Sequence, residues 1–508
     1  RRANGDNMTP AMHPEITRRQ ILRTAAAAPL AFAASAAETH YDATWESLDK
    51  RPCPPWYEDA KFGIFIHWGM YSVPAFAPPR AKGQTRYAEW YWNSLTQGKS
   101  GSPQGAATWD FYKRVYGPSF EYKDFAPLFR AEFFDPDQWA DVFERSGAKY
   151  IVPTSKHHDG FAIWPSKEAD RTWGRAWNAV STGPKRDLLG DLSKSVRAHG
   201  LHMGFYYSLY EWYNPLWLND KPRYIRDHLF PQFKDVVTRY KPDIIFSDGE
   251  WELTSAEWHS PELLAWLFNE SPAKENVVVD DRWGKDTRHK HGGYFTTEYT
   301  AGLQTGAHPW EESRGMGFSY GYNRAETLRD YHSARELTLM LIDLVSRGGN
   351  LLLDIGPTGD GRIPVIMEER LNEIGAWLKV NGEAIYGTRN WRKTRQWSAG
   401  AVPGFEEKEF RAEYDIRKLV DEPGAGQAHI EAFFTKKGND VYAIIPRRLP
   451  RELVLKDMNA ASASLLETGD KLPLRAANGS LTITVPDALR DKLPDRAAYC
   501  IRLTGAAS

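Results

Sequence analysis

The sequence predicts an α/β protein with a (β/α)8-like barrel and a C-terminal antiparallel β-sandwich. Short apolar strands alternate with amphipathic helices from residue 62 to residue 378, which is typical of a parallel sheet covered by helices. About seven such units in roughly 340 residues fit a barrel better than a doubly wound sheet. After residue 391 the helical periodicity gives way to short β-like segments.

The predicted barrel begins with a strand over 62–66. Its first regular helix follows Asp135 and Pro136, residue types that favour a helix start. Further apolar strands are predicted at 150–153, 203–207, 244–246, 277–279, 294–299 and 350–355. The helices, which carry apolar residues at helical spacing, are predicted at 135–147, 188–200, 233–240, 263–268, 335–346 and 371–378.

Three regions are predicted along the chain. Residues 1–37 form a twin-arginine-type signal peptide, because Arg18 and Arg19 precede a weakly apolar run and small residues at a cleavage position. Residues 40–388 form the barrel and residues 391–508 the sandwich, whose β-like segments lie at 402–416, 429–435, 441–445, 481–485 and 498–503. The leader predicts export to a bacterial periplasm or secretion, with an alanine-rich helix of the fold as the alternative.

The bulk properties exclude several classes of protein. The 508 residues carry a net charge of −1, which gives no electrostatic footprint for nucleic acid or an anionic membrane. Two cysteines, Cys53 and Cys500, exclude a disulfide framework and a cysteine-based zinc site. No segment is apolar for long enough to cross a membrane. The number of subunits is left open, and a homo-oligomer is compatible with the sequence.

Asp248 is the first candidate for a catalytic residue. Residues 240–251 read YKPDIIFSDGEW, in which a short apolar run leads into Ser247, Asp248 and Gly249. Such a run is typical of a buried strand, and in a barrel of parallel strands the chemistry takes place at the carboxyl ends of the strands. A loop aspartate that caps the next turn is the alternative reading of this segment.

Other polar side chains follow the predicted strands in the same way. The full set is His67, His157, His158, Tyr206, Asp248, Arg282 and Glu298. Because the carboxyl ends of the strands meet at one end of a barrel, we expect these side chains to converge. Two carboxylates fit glycoside hydrolysis, in which one acid protonates the leaving oxygen and the other attacks or activates water. The imidazoles and aromatic rings suit a sugar pocket.

A metal site is the main alternative for His157, His158 and Asp159. Adjacent residues on a strand point to opposite faces, so these three do not ligate one ion without irregular backbone, and no metal is predicted. The GPTGDG turn at 356–361 lacks the lysine and hydroxyl of a phosphate loop. A G-x-S-x-G motif is absent, so a serine hydrolase has no support. No cofactor is predicted.

Seven motifs in one order resemble the retaining α-L-fucosidases of glycoside hydrolase family 29. They are KFGIFIHWG, EWY, KHHDGF, PDIIFSDGEW, DRWG, GGNLLLDIGP and NGEAIYGT, and they extend over residues 45–391. The segment FFTKKGNDVYAI also resembles the C-terminal domain of that family. The resemblance implies an exo-acting enzyme that removes terminal α-L-fucosyl residues from oligosaccharides or glycoconjugates through a covalent fucosyl-enzyme.

The resemblance also implies roles for individual residues. Asp248 matches the catalytic nucleophile. The positions that match fucose-binding or pocket-lining residues are His67, Glu89, Trp90, His157, His158, Tyr206 and Arg282. Phe246 departs from the family, which often has tryptophan at this position, so the pocket beneath the methyl group of the sugar is expected to differ in shape.

The general acid/base is the position that varies most within the family. Glu298, in TTEY, matches the position used by bacterial relatives and lies at a predicted strand end near Arg282. Glu311, in PWEES, is the runner-up, and its structural alternative is a carboxylate paired with Arg314. Two other functions stay open: a retaining glycosidase for a related sugar such as an α-L-galactoside, and a non-catalytic fucose-binding protein.

Overall fold

The computed structural model describes residues 40–304, 308–404, 408, 410–411 and 414–506. The predicted signal peptide lies outside the described residues. In the described part of the chain, no helix is both long and apolar enough to cross a membrane. Cys53 and Cys500 are both free thiols.

The main sheet consists of parallel strands, as the apolar runs predict. The strands are β1 (Phe62–Ile66), β2 (Tyr150–Lys156), β3 (His202–Met203), β4 (Phe205–Ser208), β5 (Ile244–Asp248), β6 (Val278–Val279), β7 (Phe295–Glu298), β8 (Trp310–Gly315) and β9 (Asn350–Ile355). They are ordered β6-β5-β4-β2-β1-β9-β8-β7, with the short β3 also paired to β2. Strands β1, β2, β5 and β9 are buried along their whole length, as expected when both faces of a sheet are covered.

The sheet curls until its two end strands meet. The carbonyl oxygen of Val279 in β6 accepts hydrogen bonds from the backbone N–H of Gly293 at 2.9 Å and of Tyr294 at 3.3 Å, just before β7. The interior is filled by a separate apolar cluster that includes Phe65, Val152 and Leu352. The result is a (β/α)8-like barrel whose interior is a packed core, open to ligands only at the strand ends.

The helices surround this sheet. They are α1 (Trp45–Leu48), α2 (Pro55–Ala60), α3 (Tyr91–Lys99), α4 (Ala106–Val115), α5 (Pro136–Ser146), α6 (Lys167–Trp173), α7 (Leu188–Ala198), α8 (Pro215–Asn219), α9 (Lys221–Tyr224), α10 (Phe230–Tyr240), α11 (Ser255–Trp258), α12 (Ser260–Asn269), α13 (Ala334–Ser346), α14 (Val365–Asn381), α15 (Ile416–Val420) and α16 (Asp487–Arg490). The predicted start of α5 is confirmed, because the Asp135 carboxylate accepts hydrogen bonds from the N–H groups of Asp137 and Gln138. Gly147 ends the helix in the left-handed conformation at φ 83°.

Two antiparallel sheets follow the barrel. One contains β10 (Arg389–Trp397), β11 (Ile430–Lys437), β12 (Asp440–Ile445), β18 (Tyr499–Thr504), β14 (Ser462–Leu465) and β15 (Lys471–Leu472), and the other contains β13 (Glu452–Lys456), β17 (Ser480–Thr484) and β16 (Leu474–Ala477). A shared apolar core, with Phe434 from the first sheet and Ile483 from the second, packs between them. This is the predicted sandwich.

The structure corrects two sequence predictions of secondary structure. Strand β8 was not predicted, because WEESRG is polar and shows no apolar run. The β-like segment predicted at 402–416 lies partly outside the described residues, and its last residue, Ile416, begins helix α15 instead. Within this segment, Phe410 forms a single β-bridge with Glu298.

Candidate active site

A cavity of about 820 Å³ opens at the carboxyl ends of the parallel strands. Nine of the predicted site residues line it, namely His67, Glu89, Trp90, His157, Tyr206, Phe246, Asp248, Arg282 and Glu298. They come from seven different segments of the chain, so the barrel topology brings them together. His158 reaches the same site by contacting Asp248 at its edge.

Asp248, the last residue of β5, is held from several sides. The Arg282 Nη1 donates to its Oδ1 at 3.1 Å, and the Tyr206 hydroxyl donates to its Oδ2 at 2.8 Å. His158 Nε2 lies 3.4 Å from the same Oδ2. Burial alone would raise the pKa of Asp248, but the hydrogen bond from His158 and the positive charge of Arg282 hold it well below its usual range. The carboxylate is therefore ionised and fixed in direction.

Both ring nitrogens of His158 have polar partners. The Ser208 hydroxyl donates its proton to the carbonyl oxygen of Tyr210 at 2.6 Å, so it accepts from His158 Nδ1, also at 2.6 Å. On the other side of the ring, Nε2 faces the Asp248 carboxylate and the Tyr206 oxygen, whose proton is directed to Asp248. The ring of His158 is therefore held between Ser208 and Asp248.

Arg282 joins the two candidate catalytic carboxylates. Its Nη1 lies 3.1 Å from Asp248 Oδ1 and 3.1 Å from Glu298 Oε2. Thr296 fixes the guanidinium by accepting from Nε at 3.0 Å, and the Phe246 ring lies beneath it at 4.7 Å. Burial raises the pKa of Glu298, the charge of Arg282 opposes this, and the negative charge of Asp248 adds to the rise. The two acids therefore sit close together with their pKa values displaced in opposite directions.

His67 is oriented by an acid at the end of the neighbouring strand. Its Nδ1 lies 2.7 Å from the Asp354 carboxylate in β9, and its ring stacks on Tyr320 at 4.6 Å. Burial lowers the pKa of His67 to about 3, so the imidazole is neutral. The fixed ring leaves Nε2 free to hydrogen-bond within the cavity.

The side chains of His157, His158 and Asp159 do not all point into the site. Strand β2 ends at Lys156, so the irregular backbone that follows brings both imidazoles to the site, with ring centroids 4.3 Å apart. Asp159 instead accepts from the Tyr122 hydroxyl at 2.7 Å, away from Asp248. Among the described residues, no group of three or more His, Cys, Asp or Glu side chains could hold a metal ion.

Glu89 and Trp90 approach from the long loop after β1. The buried Glu89 carboxylate accepts from the Ser319 hydroxyl at 3.0 Å and from the Gly321 N–H at 2.9 Å. Burial raises its pKa to about 7. Trp90 packs against His158 and partly stacks on Trp251, with ring centroids 5.7 and 5.9 Å apart respectively. Glu89 and Trp90 therefore line the cavity above the strand ends, Glu89 with a carboxylate and Trp90 with an aromatic ring.

Comparison with known proteins identifies the family of this chain. The alpha-L-fucosidase family model matches residues 29–383. The alpha-L-fucosidase of Branchiostoma floridae is 41% identical over 483 residues, which cover 92% of this chain and 96% of that protein. The chain belongs to the α-L-fucosidase family. The alpha-L-fucosidase of Dictyostelium discoideum is 45% identical over 361 residues, 69% of this chain and 75% of its own length.

A solved structure of the family shows the same architecture. The Thermotoga maritima alpha-fucosidase in complex with fucose superposes with a TM-score of 0.73 at 36% identity, covering 92% of this chain and all of that one. Family membership therefore extends through both the barrel and the sandwich.

Glu311, the runner-up for the acid/base, does not reach the cavity. It lies near the amino end of β8, paired in register with Asn350, the first residue of β9. Its buried carboxylate accepts hydrogen bonds from the hydroxyls of Tyr57, at 3.1 Å, and Tyr150. A Cβ at Gly63 would overlap the Tyr150 ring, so glycine is needed for that ring to enter the barrel.

The tyrosine contacts replace the predicted pairing of Glu311 with Arg314. Burial raises the pKa of Glu311 to about 7, which by itself would suit a general acid. It lies near the amino end of β8, away from the residues that line the cavity. A strand without a run of apolar residues gives no sign in the sequence of which end faces the site.

Sequence reasoning missed two acidic residues of the site. Glu250 is 1% exposed, lines the cavity, and accepts from Arg288 Nε at 2.7 Å. Asp354 orients His67. The available signal for Asp354 was a single acid close to the carboxyl end of an otherwise apolar strand. The sequence signal for Glu250 was weaker, because Glu250 follows the strand end in a segment that contains a second acid, Glu252.

Proposed function

We propose that the protein is an exo-acting, retaining α-L-fucosidase that hydrolyses terminal α-L-fucosyl residues by double displacement. Asp248 is the nucleophile and Glu298 the general acid/base. In the first step the Asp248 carboxylate attacks the anomeric carbon while Glu298 gives its proton to the departing oxygen. In the second step Glu298 removes a proton from water, which attacks the same carbon and releases Asp248.

The main support for a retaining mechanism is that Arg282 contacts both Asp248 and Glu298. Because its Nη1 is 3.1 Å from an oxygen of each acid, these two oxygens are no further apart than twice that distance. Inverting enzymes separate their carboxyl groups by about 6.5–9.5 Å to admit a water, and retaining enzymes by about 5–5.5 Å. The spacing fits direct attack by Asp248.

The displaced pKa values support the assignment of roles. A nucleophile must be ionised, and Asp248 has a pKa well below its usual range. A general acid must hold a proton at the pH of the reaction, and burial raises the pKa of Glu298. If Asp248 were the general acid and Glu298 the nucleophile, Asp248 would have to hold a proton. Its carboxylate already accepts hydrogen bonds from three donors, which disfavours that proton.

Unpaired polar atoms in the cavity offer partners for sugar hydroxyls. Among the described residues, His157 Nδ1, Arg282 Nη2 and Glu250 Oε2 are buried and have no hydrogen-bond partner. Phe65 and Phe246 supply an apolar surface beside them. A pocket with polar groups on one side and an apolar surface on the other suits a deoxy sugar that carries a methyl group.

An α-L-galactoside is the alternative substrate, because it differs from a fucoside by one hydroxyl on that methyl carbon. An apolar surface disfavours the added hydroxyl, so kcat/KM for an aryl α-L-fucoside should exceed that for the matching α-L-galactoside by about 10²-fold. Initial rates with the same leaving group measure the ratio. A ratio near one or below would contradict fucose specificity. Fucose binding without any turnover would favour the non-catalytic alternative.

The natural partners are proposed to be fucosylated oligosaccharides or glycoconjugates. The structure of the Thermotoga maritima relative is a complex with fucose, which supports fucose as the sugar that this chain recognises. Export is also proposed, on the twin-arginine pattern at residues 17–23 and the small residues at 34–36.

A further inference from the structure

Several basic side chains line the cavity. Arg86, Lys285, Arg288, Lys290 and Arg411 all line it. Arg288 is neutralised by its ion pair with Glu250 at 2.7 Å. Two of the others, Arg86 and Arg411, lie on the side of the cavity next to Glu298.

Arg411 is positioned by its backbone. Its N–H donates to the carbonyl oxygen of Glu298 at 3.0 Å, next to the β-bridge between Phe410 and Glu298. Its guanidinium lies over the Tyr87 ring at 4.4 Å and over the Phe410 ring at 5.2 Å. A residue of the C-terminal part of the chain therefore contributes a fixed positive charge beside the proposed acid/base.

Arg86 lies in the loop after β1, next to Tyr87 in the chain, and lines the same cavity. Its guanidinium lies over the Phe318 ring at 5.2 Å. Burial lowers the pKa of Arg411 to about 10, and the positive charge of Arg86 adds to this effect. In the part of the chain that the structure describes, neither guanidinium forms an ion pair with an acid.

The acids that line the cavity are engaged elsewhere. Glu298 and Asp248 share Arg282, and Glu250 binds Arg288. Glu89 accepts from the Ser319 hydroxyl and the Gly321 N–H. Asp286 accepts from the backbone N–H and the hydroxyl of Ser255 at 2.7 and 3.2 Å. The positive charges of Arg86 and Arg411 act on each other, and no acid among the described residues pairs with either guanidinium. An anion bound by both would relieve their repulsion.

We propose that Arg86 and Arg411 bind an anionic group, a carboxylate or a sulfate, on the part of the substrate attached to fucose. The inference rests on the proposed function. The general acid must contact the glycosidic oxygen, so the leaving portion of the substrate extends past Glu298 and towards these two side chains. Guanidinium groups bind carboxylate and sulfate oxygens through paired, charge-assisted hydrogen bonds. The preferred substrates are then acidic fucosylated glycans.

The test compares phenyl α-L-fucosides that bear a carboxylate, a sulfonate or a neutral carboxamide at the 3- or 4-position of the ring. At low ionic strength, wild-type kcat/KM should favour one or more anionic substrates over the matching carboxamide by about tenfold, as expected for charge-assisted hydrogen bonds. Added salt should reduce this preference, because the arginines are partly solvent-exposed. The stronger of the carboxylate and sulfonate preferences identifies which anion the site takes.

The double variant R86Q/R411Q should lose this preference while it hydrolyses the carboxamides at rates within about twofold of wild type, since no catalytic contact is removed. R411K should keep part of the preference. Arg475→Gln, in an exposed residue of β16, is the control for the loss of an arginine outside the cavity and should leave the preference unchanged. A wild type with no preference at either ring position, or a preference that survives in the double variant, would overturn the anion site. A protein that hydrolyses none of the fucosides would overturn this site and the proposed function together.

Discussion

Replacing Asp248 with glycine should lower kcat for an aryl α-L-fucoside by at least about 10³-fold, because the covalent route through the carboxylate is lost. The variant keeps Glu298 and the sugar contacts, so the KM for the fucoside should change much less than kcat. Steady-state kinetics with a 4-nitrophenyl fucoside measure both. A glycine variant with near wild-type turnover would remove Asp248 from the nucleophile role.

Azide should restore activity to the Asp248→Gly variant. The small anion enters the space left by the carboxylate and attacks the anomeric carbon once, and a single displacement inverts configuration, so the product should be β-L-fucosyl azide. Glu252→Gln is a matched control, since this exposed acid is four residues away in the chain and pairs with Lys221 outside the cavity. It should keep wild-type turnover, and azide should have no effect on it.

Replacing Glu298 with alanine should produce a loss that depends on the leaving group. Fucosides with poor leaving groups need a proton on the departing oxygen, and they should lose about 10²–10⁴-fold in kcat/KM, the usual contribution of general acid catalysis. Fucosides with a dinitrophenolate leaving group need no proton and should lose far less in the first step. A series of aryl fucosides of graded phenol pKa measures this dependence.

The pH profile tests the same residue. Because the pKa of Glu298 is raised, its proton persists above the usual glutamate range, and kcat/KM should fall only as pH rises through this higher pKa. Because the pKa of Asp248 lies well below its usual range, the acidic side of the profile should stay high below the usual aspartate pKa. In Glu298→Gln, assayed with the dinitrophenyl substrate, the fall at high pH should disappear.

Glu311→Gln is the matched control for Glu298. It removes a buried carboxylate with a raised pKa but lies near the amino end of β8. We expect it to change stability, through the lost contacts with Tyr57 and Tyr150, and to leave the leaving-group dependence as in wild type. If Glu311→Gln instead showed the leaving-group dependence, the assignment of the acid/base to Glu298 would be wrong.

The sequence was most informative where a strand is buried on both faces. Apolar runs such as those that became β1, β5 and β9 have one interpretation, and the polar residue at the end of each then has a known direction. This is why His67 and Asp248, which follow β1 and end β5, were predicted to lie at one end of the barrel. Their position follows from topology and not from any single motif.

Prediction failed where polarity replaces the apolar signal. Strand β8 is fully buried although its residues are WEESRG, because Glu311 and Glu312 are hydrogen-bonded to tyrosine and threonine hydroxyls inside the protein. Burial of a charged strand depends on partners from distant segments, which a local pattern does not contain. For the same reason, the sequence did not predict the Glu250–Arg288 pair or the hydrogen bond from the Arg411 N–H to the Glu298 carbonyl oxygen.

The most direct test of the account is to trap the covalent intermediate. A 2-deoxy-2-fluoro-fucosyl fluoride slows both steps through its C2 fluorine but keeps a good leaving group, so the fucosyl-enzyme should accumulate. Intact-mass measurement followed by peptide sequencing should find one fluorofucosyl group per chain, esterified to Asp248. Attachment at any other residue, or an enzyme that consumes the reagent without ever forming an adduct, would contradict double displacement through Asp248.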